Sequence, residues 1–125
     1  MMEIIIRNAI DRPIYEQIKE QIKNKIIADE LKPGQCLPSI RNLAKDLRIS
    51  VITTKRAYEE LEREGFIQTR QGQGCFVANK NIELIREEQL RKVENLLSQV
   101  VEVAKISKIS KEEIEDILTI LMEEE

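Results

Sequence analysis

Two serines, Ser39 and Ser50, each stand immediately before a run of apolar residues at helical spacing, and this pairing constrains the chain more than any other feature. A serine just outside a helix accepts a hydrogen bond from a first-turn backbone N–H that has no partner within the helix. After Pro38-Ser39, the residues Ile40, Leu43, Ala44 and Leu47 keep helical spacing, with room for only a short helix. After Leu47-Arg48-Ile49, Ser50 opens a longer one with Thr54, Ala57, Tyr58 and Leu61 on one face, and Gly65 ends it. Two helices joined by a tight connection, the second longer and basic on its outer side, form the pattern of a helix-turn-helix.

The flanking segments supply what such a motif needs around it. Asp11 followed by Pro13 signals a helix start, with the acid available as a cap, and Ile14, Ile18, Ile22 and Ile26 then mark one side of a helix. Leu31-Lys32-Pro33-Gly34 is a turn. Phe66 to Arg70 and Cys75 to Ala78 are rich in strand formers and flank Gln71-Gly72-Gln73-Gly74, a glycine-bearing hairpin loop that reads as a wing. Ile4, Ile5 and Ile6 fit either an edge strand or an arm. Beyond Asn79 the pattern changes to a long amphipathic helix with Ile82, Ile85, Val93, Leu96, Leu97, Val100 and Ala104 in its stripe. It breaks between Ile106 and Ile109. Ser110 and Glu113 form a capping-box signature ahead of a last helix carrying Ile114, Ile117, Leu118 and Leu121. The expected architecture is mainly α: a winged helix-turn-helix over residues 1–79 with a small β-hairpin, then a C-terminal two-helix hairpin over residues 80–125.

The formal charge of -3 is misleading for a partner inference until it is divided along the chain. Residues 39–76 carry seven Lys and Arg against five acids, whereas residues 82–125 carry six against twelve. The acidic total therefore belongs to the C-terminal segment, and the local field over the helix-turn-helix is basic. At 125 residues there is room for one modest domain and an appendage. No apolar stretch approaches the ~20 residues of a membrane span, and the start lacks a signal-peptide pattern, so a soluble, cytoplasmic protein with no membrane partner is expected. Cys36 and Cys75 lie far apart without a CxxC spacing and no histidine is present, so the two thiols read as reduced, small buried residues rather than a metal or redox pair. No nucleophile and base pair is recognisable, so no enzyme and no cofactor are expected. The loop at Gln71 to Gly74 is not a phosphate cradle, because it joins two strands and lacks the Lys-Ser/Thr of a P-loop.

Leu31-Lys32-Pro33-Gly34, Leu37-Pro38-Ser39-Ile40-Arg41, Leu43-Ala44, Arg56-Ala57-Tyr58, Leu61-Glu62, Glu64-Gly65 and Gln71-Gly72-Gln73-Gly74-Cys75-Phe76-Val77 together resemble the GntR family of transcription regulators over residues 10–78. The short helical tail in place of an effector domain resembles the YtrA subfamily, which implies a dimeric repressor, often of transporter genes, bound to double-stranded operator DNA. The resemblance also implies DNA contacts from Arg41, from Ser50 to Thr53 and Lys55, and from Gln71 and Gly72. Val51 stands where many members carry arginine, so the guanine contact associated with that position is not expected here.

The candidate DNA-facing set is thus Ser39, Arg41, Ser50, Val51, Ile52, Thr53, Lys55, Arg56, Arg70, Gln71, Gly72 and Gln73. Lys55, Arg56 and Arg41 are suited to phosphates or guanine edges, and Arg70 and Gln73 to a minor groove or phosphates. For Ile52 two readings stand side by side: contact with thymine methyl groups, or packing against the turn after the first short helix. The tail exceeds what a lone hairpin can cover. Val93, Leu96, Leu97, Val100, Ala104, Ile114, Ile117, Leu118 and Leu121 are therefore candidates for a homodimer seam, the alternative being a fold back onto the first helix. A protein-interaction module that kept the scaffold without binding DNA is the competing functional class. The tail suggests no obvious cavity, so a small-molecule effector, whose identity the sequence leaves open, would have to act at the dimer seam, between the domains, or through Cys36 and Cys75.

Overall fold

The computed structural model describes residues 2–9, 11–79 and 82–124, leaving out the side chain of Ile82. The predicted boundary at residue 80 lies outside these residues. The chain divides into two compact units, Met1–Asn81 and Ile82–Glu125.

In the first unit, helix α1 (Ile14–Ile27), helix α2 (Ile40–Leu47) and helix α3 (Val51–Arg63) precede strands β1 (Ile67–Arg70) and β2 (Gly74–Val77). Ile18 and Ile22 of α1 are fully buried against Ala57, Tyr58 and Leu61 of α3, with Leu43 of α2 and Phe66, Ile67 and Val77 of the hairpin in the same cluster. Complete burial of one such aliphatic side chain contributes about 1.5–3 kcal/mol, so the helical spacing of the isoleucines is what locates α1. The start of α1 differs from expectation. Pro13, not Asp11, occupies the position before the helix and no side chain caps it. The Pro13 carbonyl accepts from Glu16 and Gln17 N–H, and the Gln17 amide donates to the Arg12 carbonyl at 3.0 Å, which leaves Asp11 no role at the helix end.

The isoleucine-rich segment before α1 forms an arm rather than a strand. Its backbone is held by two glutamines one turn apart on α1: Gln21 exchanges hydrogen bonds with Ile5 N–H and C=O (2.8 and 2.6 Å), and Gln17 with those of Arg7 (2.9 and 3.0 Å). A primary amide offers a donor and an acceptor in the same arrangement as a peptide group, so the two side chains stand in for a neighbouring strand. Ile4 is thereby buried in the core.

β1 and β2 pair antiparallel, with Ile67 opposite Val77 and Arg70 opposite Gly74. The far edge of β2 is taken by the segment before α2: Val77 N–H donates to Gln35 C=O, Leu37 N–H to Cys75 C=O, and Gly34 N–H to Val77 C=O at 2.7–2.9 Å. The wing is thus tied by main-chain bonds to the residues that lead into the helix-turn-helix. Cys36 corrects the expectation of two buried thiols. It lies opposite Phe76 on this edge and is exposed, Cys75 is half-buried, and both are free.

The second unit holds α4 (Ile82–Ser107) and α5 (Lys111–Glu123). Lys108 adopts a left-handed φ of 56° and Ile109 N–H returns to Ala104 C=O. Ser110 and Glu113 then form the predicted capping box, with bonds of 3.1 and 3.2 Å. Within this unit Ala104 is buried and Ile114 half-buried, while Val93, Leu96, Leu97, Val100, Ile117, Leu118 and Leu121 remain exposed. A groove of about 410 Å³ lies between the two helices, lined by Leu96, Val100, Val103, Ala104, Ile109, Ile114 and Ile117. No helix among the described residues is long and apolar enough to cross a membrane.

Candidate nucleic-acid interface

The α2–turn–α3 element is set by local hydrogen bonds. Ser39 Oγ accepts from Asn42 N–H at 3.1 Å and Ser50 Oγ from Thr53 N–H at 3.0 Å, so both predicted caps form. Ser50 Oγ also donates to Thr53 Oγ1 at 2.8 Å. Ser39, Ser50 and Thr53 are therefore committed to building the helix ends as well as standing at the candidate surface. Between the helices Arg48 takes φ 57°, ψ 47°, a left-handed conformation that lets the chain reverse within the turn. At the other end of α3, Gly65 has φ +82°, which suits the residue after a helix C-terminus.

Long-range contacts then orient α3. Tyr58 is 2% exposed and its hydroxyl donates to Pro38 C=O at 2.7 Å, joining the middle of α3 to the start of α2. Burial pushes its phenol well above the ordinary value of 10.0. At the far end of α3, Glu64 accepts from Lys19 at 2.8 Å and Lys23 at 3.2 Å on α1. Burial alone would raise the Glu64 carboxyl, but the two lysine hydrogen bonds outweigh it and hold it below the ordinary 4.5. The Lys19 ammonium is raised above 10.5, chiefly by its hydrogen bond to Glu64, against a smaller opposing effect of burial.

The outer face of α3 lies opposite the buried Thr54, Ala57, Tyr58 and Leu61. Ile52 on it is 81% exposed, which removes the reading in which it packs against the preceding turn. Val51 is 46% exposed. Lys55 is exposed and makes no hydrogen bond or ion pair among the described residues, and the same holds for Arg41 on α2. Arg56 differs from its neighbours: its guanidinium lies 3.9 Å from the centroid of the Tyr15 ring, so it leans onto α1. Arg63 pairs with Glu60 on its own helix at 3.2 Å.

At the wing, Gln71, Gly72 and Gln73 form the exposed tip, with Gly72 at φ +76° and Gln73 N–H closing onto Arg70 C=O at 2.9 Å. Arg70 lies 4.3 Å over the Phe76 ring. Sequence reasoning missed both aromatic partners, Tyr15 and Phe76. The chain has only two tyrosines and two phenylalanines, and that scarcity was a usable signal.

A basic helix-turn-helix with an attached two-stranded wing defines the winged-helix class of DNA-binding proteins. The chain belongs to the GntR family of bacterial regulatory proteins, whose family model matches residues 14–77. It is 37% identical over 89 residues to the HTH-type transcriptional repressor YtrA of Bacillus subtilis, covering 71% of this chain and 68% of that protein. This similarity places it in the YtrA subfamily, among transcription regulators rather than enzymes. A transcriptional regulator from Oenococcus oeni superposes with a TM-score of 0.76 at 30% identity, covering 94% of this chain and 97% of that one. The DNA-binding domain of AraR, solved in complex with operator ORX1, matches 62% of this chain and 96% of its own at a TM-score of 0.55 and 29% identity.

Proposed function

We propose that this regulator is a homodimeric repressor that occupies an operator in double-stranded DNA. In this reading residues 1–79 hold the DNA and residues 80–125 hold the second subunit. α3 lies in the major groove with Val51, Ile52 and Lys55 toward base edges, Ser39, Arg41, Ser50, Thr53 and Arg56 border the backbone, and Arg70 to Gln73 of the wing reach an adjacent groove or its phosphates. The observation that carries it is the outer face of α3, where an isoleucine and a lysine unpaired among the described residues are held in the open by a helix whose opposite face is locked into the core. An apolar side chain so exposed has few sequence-reading partners in DNA other than the thymine methyl group. The AraR DNA-binding domain, solved in complex with an operator, supports DNA as the partner.

Dimerisation follows from the apolar stripes of α4 and α5, which one copy leaves open along most of their length. A second copy related by a two-fold axis covers them and sets two α3 helices on half-sites ~34 Å, or a small multiple of that, apart. Occupancy of promoter DNA then blocks transcription, and transporter genes are the class of target that the YtrA subfamily suggests.

Selection of bound fragments from random duplex DNA, at fixed salt, tests the reading. An enriched palindrome with half-sites one or two turns apart is the expected result. Enrichment of no sequence under any salt condition would sink it and favour a protein-interaction module.

A further inference from the structure

We infer that Phe76 is a positioning residue for DNA recognition by the wing: its ring holds the Arg70 guanidinium in place for a contact with the DNA backbone. The inference rests on the reading that the wing lies against DNA. Residues of β2 alternate between faces. Val77 is in the core and Cys75 packs against it, so Phe76 points to the other side of the hairpin, where it is only half-buried. Its cross-strand partner is Gln68, and Arg70 follows two residues along the same face of β1, with its guanidinium 4.3 Å above the ring.

An aliphatic residue would serve mere burial at that site equally well, whereas an aromatic ring adds an attractive face for a cation. Stacking uses the flat face of the guanidinium and leaves its in-plane N–H donors available. No carboxylate takes them among the described residues, since Arg70 belongs to none of the ion pairs there. Arg70 is also the last residue of β1, directly before the tip whose N–H at Gln73 closes onto the Arg70 carbonyl. Its main chain is held by the turn and its side chain by the ring. An arginine ordered beforehand loses less side-chain freedom on meeting a phosphate. Arg56 over Tyr15 repeats the device at the recognition helix, at 3.9 Å.

The test is a double-mutant cycle read by DNA binding of the full-length protein to its selected operator over a range of salt. Phe76→Leu is expected to weaken binding about threefold to fivefold and Arg70→Ala about tenfold, with a drop of about one in the slope of log affinity against log salt. Added to Arg70→Ala, Phe76→Leu should cost nothing further, and Phe76→Tyr should bind as the unsubstituted protein does. If Phe76→Leu costs as much in the Arg70→Ala background as alone, Phe76 acts through wing folding and the inference is overturned, while the wing contact stands. If Arg70→Ala has no effect, the inference and the wing contact both fall. Arg70→Lys covers the case in which Phe76→Leu unfolds the wing: it keeps the charge but not the stacking plane, and wild-type affinity there would also overturn the inference.

Discussion

Tyr58 and Pro38 are joined by a 2.7 Å hydrogen bond from the phenol hydroxyl to the proline carbonyl, which couples the helix expected to read DNA to the start of the helix before it. The donor is inside the core, so the bond is shielded from water. Proline supplies no N–H, and the carbonyl of Pro38 is the part of that residue able to anchor the turn.

Tyr58→Phe removes the donor and leaves that carbonyl without its Tyr58 partner. The expected loss is about 1–2 kcal/mol of unfolding free energy, measured by urea denaturation. Operator affinity should fall as well, because the α2–α3 angle loses its restraint. A variant as stable as the parent would show that water replaces the phenol.

Glu64 should impose an acid limb on stability. Its folded carboxyl lies below the ordinary 4.5, so its contribution is complete above that value and fades as pH falls through the lower folded value. For Lys19 the folded value lies above 10.5, so that contribution is complete below 10.5 and fades as pH rises further. Glu64→Gln is expected to lower the melting temperature at neutral pH and to reduce the difference between pH 6 and pH 3, in thermal melts followed by circular dichroism. An unchanged pH profile would contradict the pairing with Lys19 and Lys23.

Arg48 holds a left-handed conformation that costs a side-chain-bearing residue about 1–2 kcal/mol. Glycine avoids that cost but loses more freedom on folding. Arg48→Gly should therefore stabilise the free protein by about 0.5–1 kcal/mol, seen as a higher urea midpoint at an unchanged slope.

Ile52→Ala separates recognition from folding. At 81% exposure the side chain contributes little to the core, so stability should stay within about 0.5 kcal/mol of the parent. Repeating the random-duplex selection should lose a preference for thymine at one position per half-site. Retention of the parent preference would exclude the methyl contact.

Leu97→Glu places a charge on the apolar stripe of α4 at a residue 44% exposed in a single chain. Sedimentation at micromolar concentration is expected to show monomers with the helical content retained. A variant that remains dimeric would move the seam elsewhere.

Much of the fold was legible in the residues. Ser39, Ser50 and Ser110 marked three helix starts, and each caps through a residue three positions on. The hairpin was legible because strand formers flanked a glycine-bearing loop. Asp11 misled, since Pro13 takes the position before α1 without any side-chain cap, and the neighbouring Arg12 carbonyl accepts from the Gln17 side chain. The candidate surface was legible as positions on α3, but not as the state of each side chain. Lys55 and Arg56 are neighbours of the same charge, yet one is unpaired among the described residues and the other lies on Tyr15.

Caps and periodicities act over three or four residues, within reach of the chain's own geometry, and so amino-acid order alone settles them. The arm held by Gln17 and Gln21, the seat of Arg70 on Phe76, the bond from Tyr58 to Pro38 and the clasp of Lys19 and Lys23 on Glu64 are different in kind. Each depends on which surfaces meet when α1 packs on α3 and β1 on β2, and no local pattern encodes a meeting between segments until burial of the shared core has brought them together.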